Sequence, residues 1–321
     1  MKKMFAILLI AAAMILYGCQ LLPHSTLSGN LMYVSDYHDY WDYSTATYQI
    51  VEQNVGDNRK KIIYEANDKL YLLYDRTKEL YGAFCDDEGM VRVWNLLSND
   101  LVWEDYISAP LDERSDALLM IDDGCLYYCT QSYNEEMHYV DVFKKRMGGQ
   151  AELLIQIADN EWHEKMHFSL SSSGDMAYVQ RSESDFWNPD TGYYATDYVY
   201  LYRGGQNLLI GEGSFPVWFS SEELWFVQGE WLMSYDVNTG KTAAVYDENG
   251  EGIEIRQKKL YASPTITQDN CYLVYATNRD MSESLPQNQG ISVVSLKNGK
   301  KYIFKELDSV FESMMVTAIL E

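Results

Sequence analysis

Basic side chains are scarce in this chain: 25 lysines and arginines stand against 48 aspartates and glutamates, a net charge of -23. That imbalance excludes nucleic acid as a partner class, because a polyanion is repelled and no basic patch with interleaved aromatics offsets the field. Cysteine is sparse too. Beyond Cys19 there are Cys85, Cys125, Cys129 and Cys271. Cys125 and Cys129 fall four apart on one predicted strand, about 13 Å at strand rise, which is too far for a disulfide. The lack of any CxxC pair removes the usual zinc framework. There is no GxSxG elbow, no P-loop and no GxGxxG. No stretch keeps a 3.6-residue apolar period long enough for a major helix.

The one long apolar run is at the start. Lys2 and Lys3 precede an unbroken segment from Met4 to Leu16, and Tyr17, Gly18 and Cys19 follow. The run is too short to span a bilayer as a permanent helix, so it reads as a signal peptide. Leu16-Tyr17-Gly18-Cys19 resembles the bacterial lipoprotein signal, which implies acylation of the Cys19 thiol and removal of residues 1–18. Losing Lys2 and Lys3 would leave 23 basic against 48 acidic side chains, a net charge of -25. The expected location is the extracytoplasmic face of the cell membrane, through a lipid (palmitate-type) anchor, with residues 19–30 as a short tether.

After the tether the chain is 47% hydrophobic over the whole sequence, enough to bury a large core. Its 27 tyrosines and 8 tryptophans fall mostly in short alternating runs, which favours strands. Those runs repeat. Phe168-Ser-Leu170 followed by Gly174-Asp175-Met-Ala-Tyr178-Val179 aligns with Pro216-Val-Trp218-Phe-Ser220 followed by Leu224-Trp-Phe226-Val227. Both align with Pro264-Thr-Ile266 followed by Cys271-Tyr-Leu-Val274-Tyr275. Leu170, Trp218 and Ile266 are 48 residues apart each time, and Met120 to Cys129 fits fifty residues earlier. A strand-built repeat of this length predicts propeller blades. Pro216-Val217-Trp218-Phe219-Ser220 and Pro264 to Asn270, with Gly124 and Gly174 in the turns, resemble the TolB-type or WD40-like propeller repeat. That resemblance covers residues 116 to 307 best and implies a fold, not a reaction.

The predicted fold is therefore all-β, a propeller of six four-stranded blades in one domain over 31–321, with seven blades or an open fan as the alternatives. The units run 31–66, 69–105, 116–158, 165–213, 214–250 and 255–307. The first is one strand short. The apolar tail Met314 to Leu320 is expected to supply that strand.

Three sites stand out chemically. His163-Glu164-Lys165-Met166-His167 matches HExxH, which on a helix places two histidines on one zinc ion. Here Lys165 breaks the usual apolar position and a predicted strand begins at Phe168. His163 and His167 are accordingly expected in a blade-connecting loop, and no metal or cofactor is expected. Two clusters mix aromatics with carboxylates: Tyr37, Tyr40 and Trp41 near Asp36, Asp39 and Asp42, and Asp185, Trp187, Asp190, Tyr193 and Tyr194 in an insertion of the fourth blade. Aromatic faces flanked by carboxylates suit sugar rings and cationic side chains. The plain alternative is that these aromatics pack the loops onto their own blades. Asp185, Asn188 and Asp190 lack the ligand order of an EF-hand.

The expected function is a monomeric, non-catalytic binding or scaffolding module at the cell envelope, whose partner is an envelope protein, a peptide or a glycan. The alternative is an envelope enzyme acting on polysaccharide or peptidoglycan fragments, with two carboxylates converging in the propeller channel as acid and base.

Overall fold

The computed structural model describes residues 27–39, 42–57, 59–67, 69–75, 77, 79–86, 88–107, 118–133, 138–159, 168–181, 196–255, 264–278, 289–304 and 316–320. These form twenty-four strands and, among the described residues, no helix. The strands group into six antiparallel sheets of four, the blades of a propeller ring.

Blade one holds β1 (Gly29–Asp39), β2 (Asp42–Asn54) and β3 (Lys60–Ala66). Blade two is β4 (Leu70–Tyr74), β5 (Leu80–Cys85), β6 (Met90–Asn95) and β7 (Leu101–Tyr106). Blade three is β8 (Leu118–Asp122), β9 (Cys125–Tyr133), β10 (His138–Arg146) and β11 (Ala151–Asp159). Blade four is β12 (Phe168–Leu170), β13 (Met176–Arg181), β14 (Asp197–Arg203) and β15 (Gln206–Glu212). Blade five is β16 (Ser214–Trp218), β17 (Glu223–Gln228), β18 (Trp231–Asp236) and β19 (Lys241–Ala244). Blade six is β20 (Thr265–Ile266), β21 (Tyr272–Asn278), β22 (Gln289–Ser295) and β23 (Lys301–Phe304). The last strand, β24 (Val316–Leu320), runs antiparallel beside β1, with Gly29 opposite Leu320 and Tyr33 opposite Val316.

Within each blade the strands follow one another outward. The first strands of successive blades meet, β4 with β8, β8 with β12, β12 with β16, β16 with β20 and β20 with β24, so they are the inner ring. Leu170, Trp218 and Ile266, the 48-residue markers, all sit on inner strands. Trp218 shows why a tryptophan suits that position. Its indole Nε1–H donates to the Ser169 carbonyl of blade four at 2.9 Å, tying two inner strands together while the ring is buried.

The core is distributed between blades. Alternate residues of the middle strands face opposite neighbours, and each of the six interfaces holds an apolar cluster, with a second, smaller one around Met120, Cys125 and Tyr127 beside Leu170. On β9, Leu126 and Tyr128 pack toward blade two, while Cys129 packs toward blade four. None of the four described cysteines is in a disulfide. Leu27 and Leu31 of the first blade pack against Val274, Ile291 and Val293 of the sixth. One interface also requires a missing side chain: a Cβ on Gly82 would lie 2.7 Å from the Trp94 ring directly across the strand pair.

Antiparallel alternation gives the ring two unlike ends. Connections from first to second and from third to fourth strands leave one end, and none there is longer than five residues. All others leave the opposite end. They include 107–117, 160–167, 182–196, 245–264, 279–288 and 305–315, the six longest in the chain. These are the turn end and the loop end. The chain enters at the turn end, where the Gly29 carbonyl accepts the Val55 N–H of the β2–β3 turn at 3.0 Å.

Candidate functional site

The topology assigns an end of the ring to each motif. Tyr37 lies on β1 opposite Thr47, close to the loop end. Tyr40 and Trp41 fall between β1 and β2, Asp185, Trp187, Asp190, Tyr193 and Tyr194 between β13 and β14, and His163 and His167 between β11 and β12. These residues and Cys19 lie outside the described residues, and of Tyr37 only the backbone register is described. Every one of those connections joins strands at the loop end.

The outer edge of blade five, starting at Trp231 beside the loop-end β17–β18 hairpin, carries an aromatic site that the sequence pattern does not reveal. Sequence pattern extends the fourth strand of blade five to Tyr246, but the strand ends at Ala244. There the chain turns through residues 245–255 and returns against β18. Three backbone bonds close a triangle: Val245 N–H to Leu232 carbonyl, Ile253 N–H to Val245 carbonyl and Leu232 N–H to Ile253 carbonyl, each 2.9 Å. The Ile255 N–H adds a bond to the Glu230 carbonyl at 2.6 Å. The driving force is apolar. Leu232, Ile253 and Ile255 are buried in the interface with blade six, and Val245 packs against them.

Alternation then turns the intervening residues the other way. Trp231 pairs with Glu254 and Tyr246 with Gly252 in isolated bridges. Trp231 is 49% exposed and Tyr246 61% exposed, large fractions for aromatic rings. Gly252 keeps the surface open: a Cβ there would sit 3.0 Å from the Trp231 ring. The turn between Tyr246 and Gly252 is locked by Asp247, whose Oδ1 accepts the N–H groups of Asn249 and Glu251, both at 2.9 Å. The bond from the Glu251 N–H, aided by Asn249, holds the Asp247 carboxyl below its ordinary range. The Glu248 N–H reaches the Lys297 carbonyl in the β22–β23 turn of blade six at 2.9 Å, so residues 247–251 cross from blade five to the turn end of its neighbour and are braced on both blades.

The signal available in sequence was the 245–264 connection, far longer than a hairpin needs, one short strand after a tight Val237-Asn238-Thr239-Gly240 turn. Periodicity missed it because Val245 and Tyr246 continue the alternation of β19.

The inner strands give no comparable chemistry. Among the described residues, the six inner strands carry a single carboxylate, Asp122, at the turn end of β8. A glycosidase-type pair of facing carboxylates is absent from them. Among the described residues no group of three or more His, Cys, Asp and Glu side chains is placed to hold a metal ion.

The fold defines the class, a six-bladed β-propeller. No family model matches the chain, and no curated protein matches it. Among solved structures it resembles TolB from Acinetobacter baumannii, with 11% identity and a TM-score of 0.56 over 90% of this chain and 66% of that one. It also resembles a putative TolB from Agrobacterium tumefaciens, with 8% identity and a TM-score of 0.51 over 92% of this chain and 99% of that one. An oligogalacturonate lyase in complex with manganese aligns at a TM-score of 0.47 and 10% identity, over 84% of this chain and 77% of that one, too distant to bear on activity. Likeness at these identities speaks to the fold alone.

Proposed function

We propose that this chain is a lipid-anchored, extracytoplasmic propeller that acts as a non-catalytic binding or scaffolding module, with the loop end as its working face. The observation that carries this reading is the exposed Trp231–Tyr246 surface, which starts beside the loop-end β17–β18 hairpin and runs along the outer edge of blade five. The TolB-like architecture supports it, since a rigid ring that gathers its variable loops on one face suits a binding module.

Polarity supports the reading too. Leu27 is buried between blades one and six at the turn end, so the preceding tether joins the ring there. An anchor at Cys19 then leaves the loop end facing away from the membrane, where an envelope protein, peptide or glycan meets it. The body works as a monomer.

The test is site-specific photocrosslinking in native cells, with a photoreactive residue at position 230 on the loop end or at position 238 on the turn end. A discrete adduct from 230 and none from 238 is expected. Adducts only from 238, or none from a panel of loop-end positions, overturn the assignment.

A further inference from the structure

We propose that Trp231 and Tyr246 form a docking platform for a basic segment of a partner protein, one arginine or lysine side chain lying across the Trp231 face. This rests on the binding-module reading and names the chemistry of its partner. Three observations carry it.

The rings are presented, not packed. Trp231 is 49% and Tyr246 61% exposed, although Leu232 and Val245 beside them and Ile253 across from them are drawn into the blade-six interface. Gly252 leaves the Trp231 ring without a side chain crowding it from that strand.

The platform is held rigid. Four backbone bonds and the Asp247-capped turn fix both aromatic backbones before any ligand arrives, so little ordering remains to be done on binding.

The immediate surroundings are acidic. Glu230 precedes Trp231, Glu254 lies opposite it, and Glu251 precedes Gly252, within a chain whose net charge is -23. The basic run Arg256, Lys258 and Lys259 that follows lies outside the described residues. An exposed aromatic face with Glu254 directly opposite it, on a chain of this net charge, attracts a cation twice, through the ring quadrupole and through charge, and steers a basic surface toward the site. Arginine fits best, since its flat guanidinium covers the indole while its edge donates to carboxylates.

The test uses the mature protein and a fluorescein-labelled decapeptide of alternating arginine and serine, followed by fluorescence anisotropy at about 0.15 M salt. Trp231→Ala and Tyr246→Ala change no charge, so attraction by net charge alone predicts wild-type affinity for both. The platform predicts about tenfold weaker binding for Trp231→Ala, a smaller loss for Tyr246→Ala and near-complete retention in Trp231→Phe, with unchanged thermal melts as the control for folding. A matching glutamate–serine peptide should not bind. Equal affinity across all variants overturns the proposal. Preference for an N-acetylglucosamine tetrasaccharide over the basic peptide, lost in Trp231→Ala, overturns it in favour of a glycan. Binding that emerges only after deletion of residues 183–194 overturns it in favour of cover by the chain itself. In-cell crosslinks from position 230 that persist in Trp231→Ala would sink this proposal while leaving the binding-module reading intact.

Discussion

Lys145, on the third strand of blade three, reaches Asp105 on the outer strand of blade two with 2.9 Å between Nζ and Oδ2. The ammonium also donates to the Tyr106 carbonyl and lies 6.0 Å above the buried Trp103 ring. Asp105 Oδ2 in turn accepts the Gly148 N–H of the β10–β11 turn at 2.7 Å. Two neighbouring blades are thus joined by a small, largely enclosed charge network.

Removing the cation strands the carboxylate. Lys145→Met keeps much of the packing on Trp103 but leaves Asp105 without its partner, and should cost about 2–4 kcal/mol, near the range for broken buried pairs. Lys145 holds the Asp105 carboxyl below its ordinary value. A carboxylate depressed on folding contributes stability above its unfolded pKa of about 3.9 and loses it as pH falls through the lower folded value. Urea midpoints should therefore separate wild type from Lys145→Met at pH 6 and converge below about pH 4. A pH-independent gap would show that packing, not charge, is responsible.

Tyr128 offers the opposite case. It is fully buried in the same interface and stacked on Phe143 at 5.4 Å, yet its hydroxyl has no hydrogen-bond partner among the described residues. A buried hydroxyl without a bond is destabilising, so Tyr128→Phe should match or exceed wild-type stability by up to about 1 kcal/mol. Thermal or urea unfolding decides it, and a loss above about 1 kcal/mol would reveal a partner for the hydroxyl.

Trp218 should tolerate less. Trp218→Phe deletes the indole bond to the Ser169 carbonyl, at about 1 kcal/mol. Trp218→Ala adds a cavity between blades four and five and should cost about 3–5 kcal/mol. If phenylalanine proves as stable as tryptophan, the inter-blade bond contributes nothing and only ring volume matters.

The anchor is tested apart from the propeller. Cys19→Ser should abolish incorporation of labelled palmitate and shift the protein out of the membrane fraction without altering its melting temperature. Unchanged labelling, or retention in the membrane, would remove the lipid-anchor reading.

Much of the architecture was legible in the chain because propeller blades are local. Most strands pair with their sequence neighbour across a short turn, so alternation and turn residues such as Gln228-Gly229-Glu230 suffice to mark β17 and β18, and Gly229 takes the φ of 61° that the hairpin needs. The 48-residue recurrence of Leu170, Trp218 and Ile266 marks the inner strands for the same reason. The aromatic surface was not legible. Tyr246 continues the pattern of β19 and reads as strand, and its departure depends on Ile253 and Ile255 finding room against blade six.

By itself, the sequence determined an all-β protein of blade-length repeats, its acidic character, and the absence of a Cys125–Cys129 disulfide, since these follow from local pairing, composition and strand spacing. Only the tertiary structure decided that Lys145 meets Asp105, that Trp218 bonds Ser169, and that residues 245–255 fold back to present Trp231 and Tyr246. Those relationships join residues on different blades or across an irregular connection. No period in the chain encodes them, because they arise only when the blades pack side by side and compete to bury the same apolar faces.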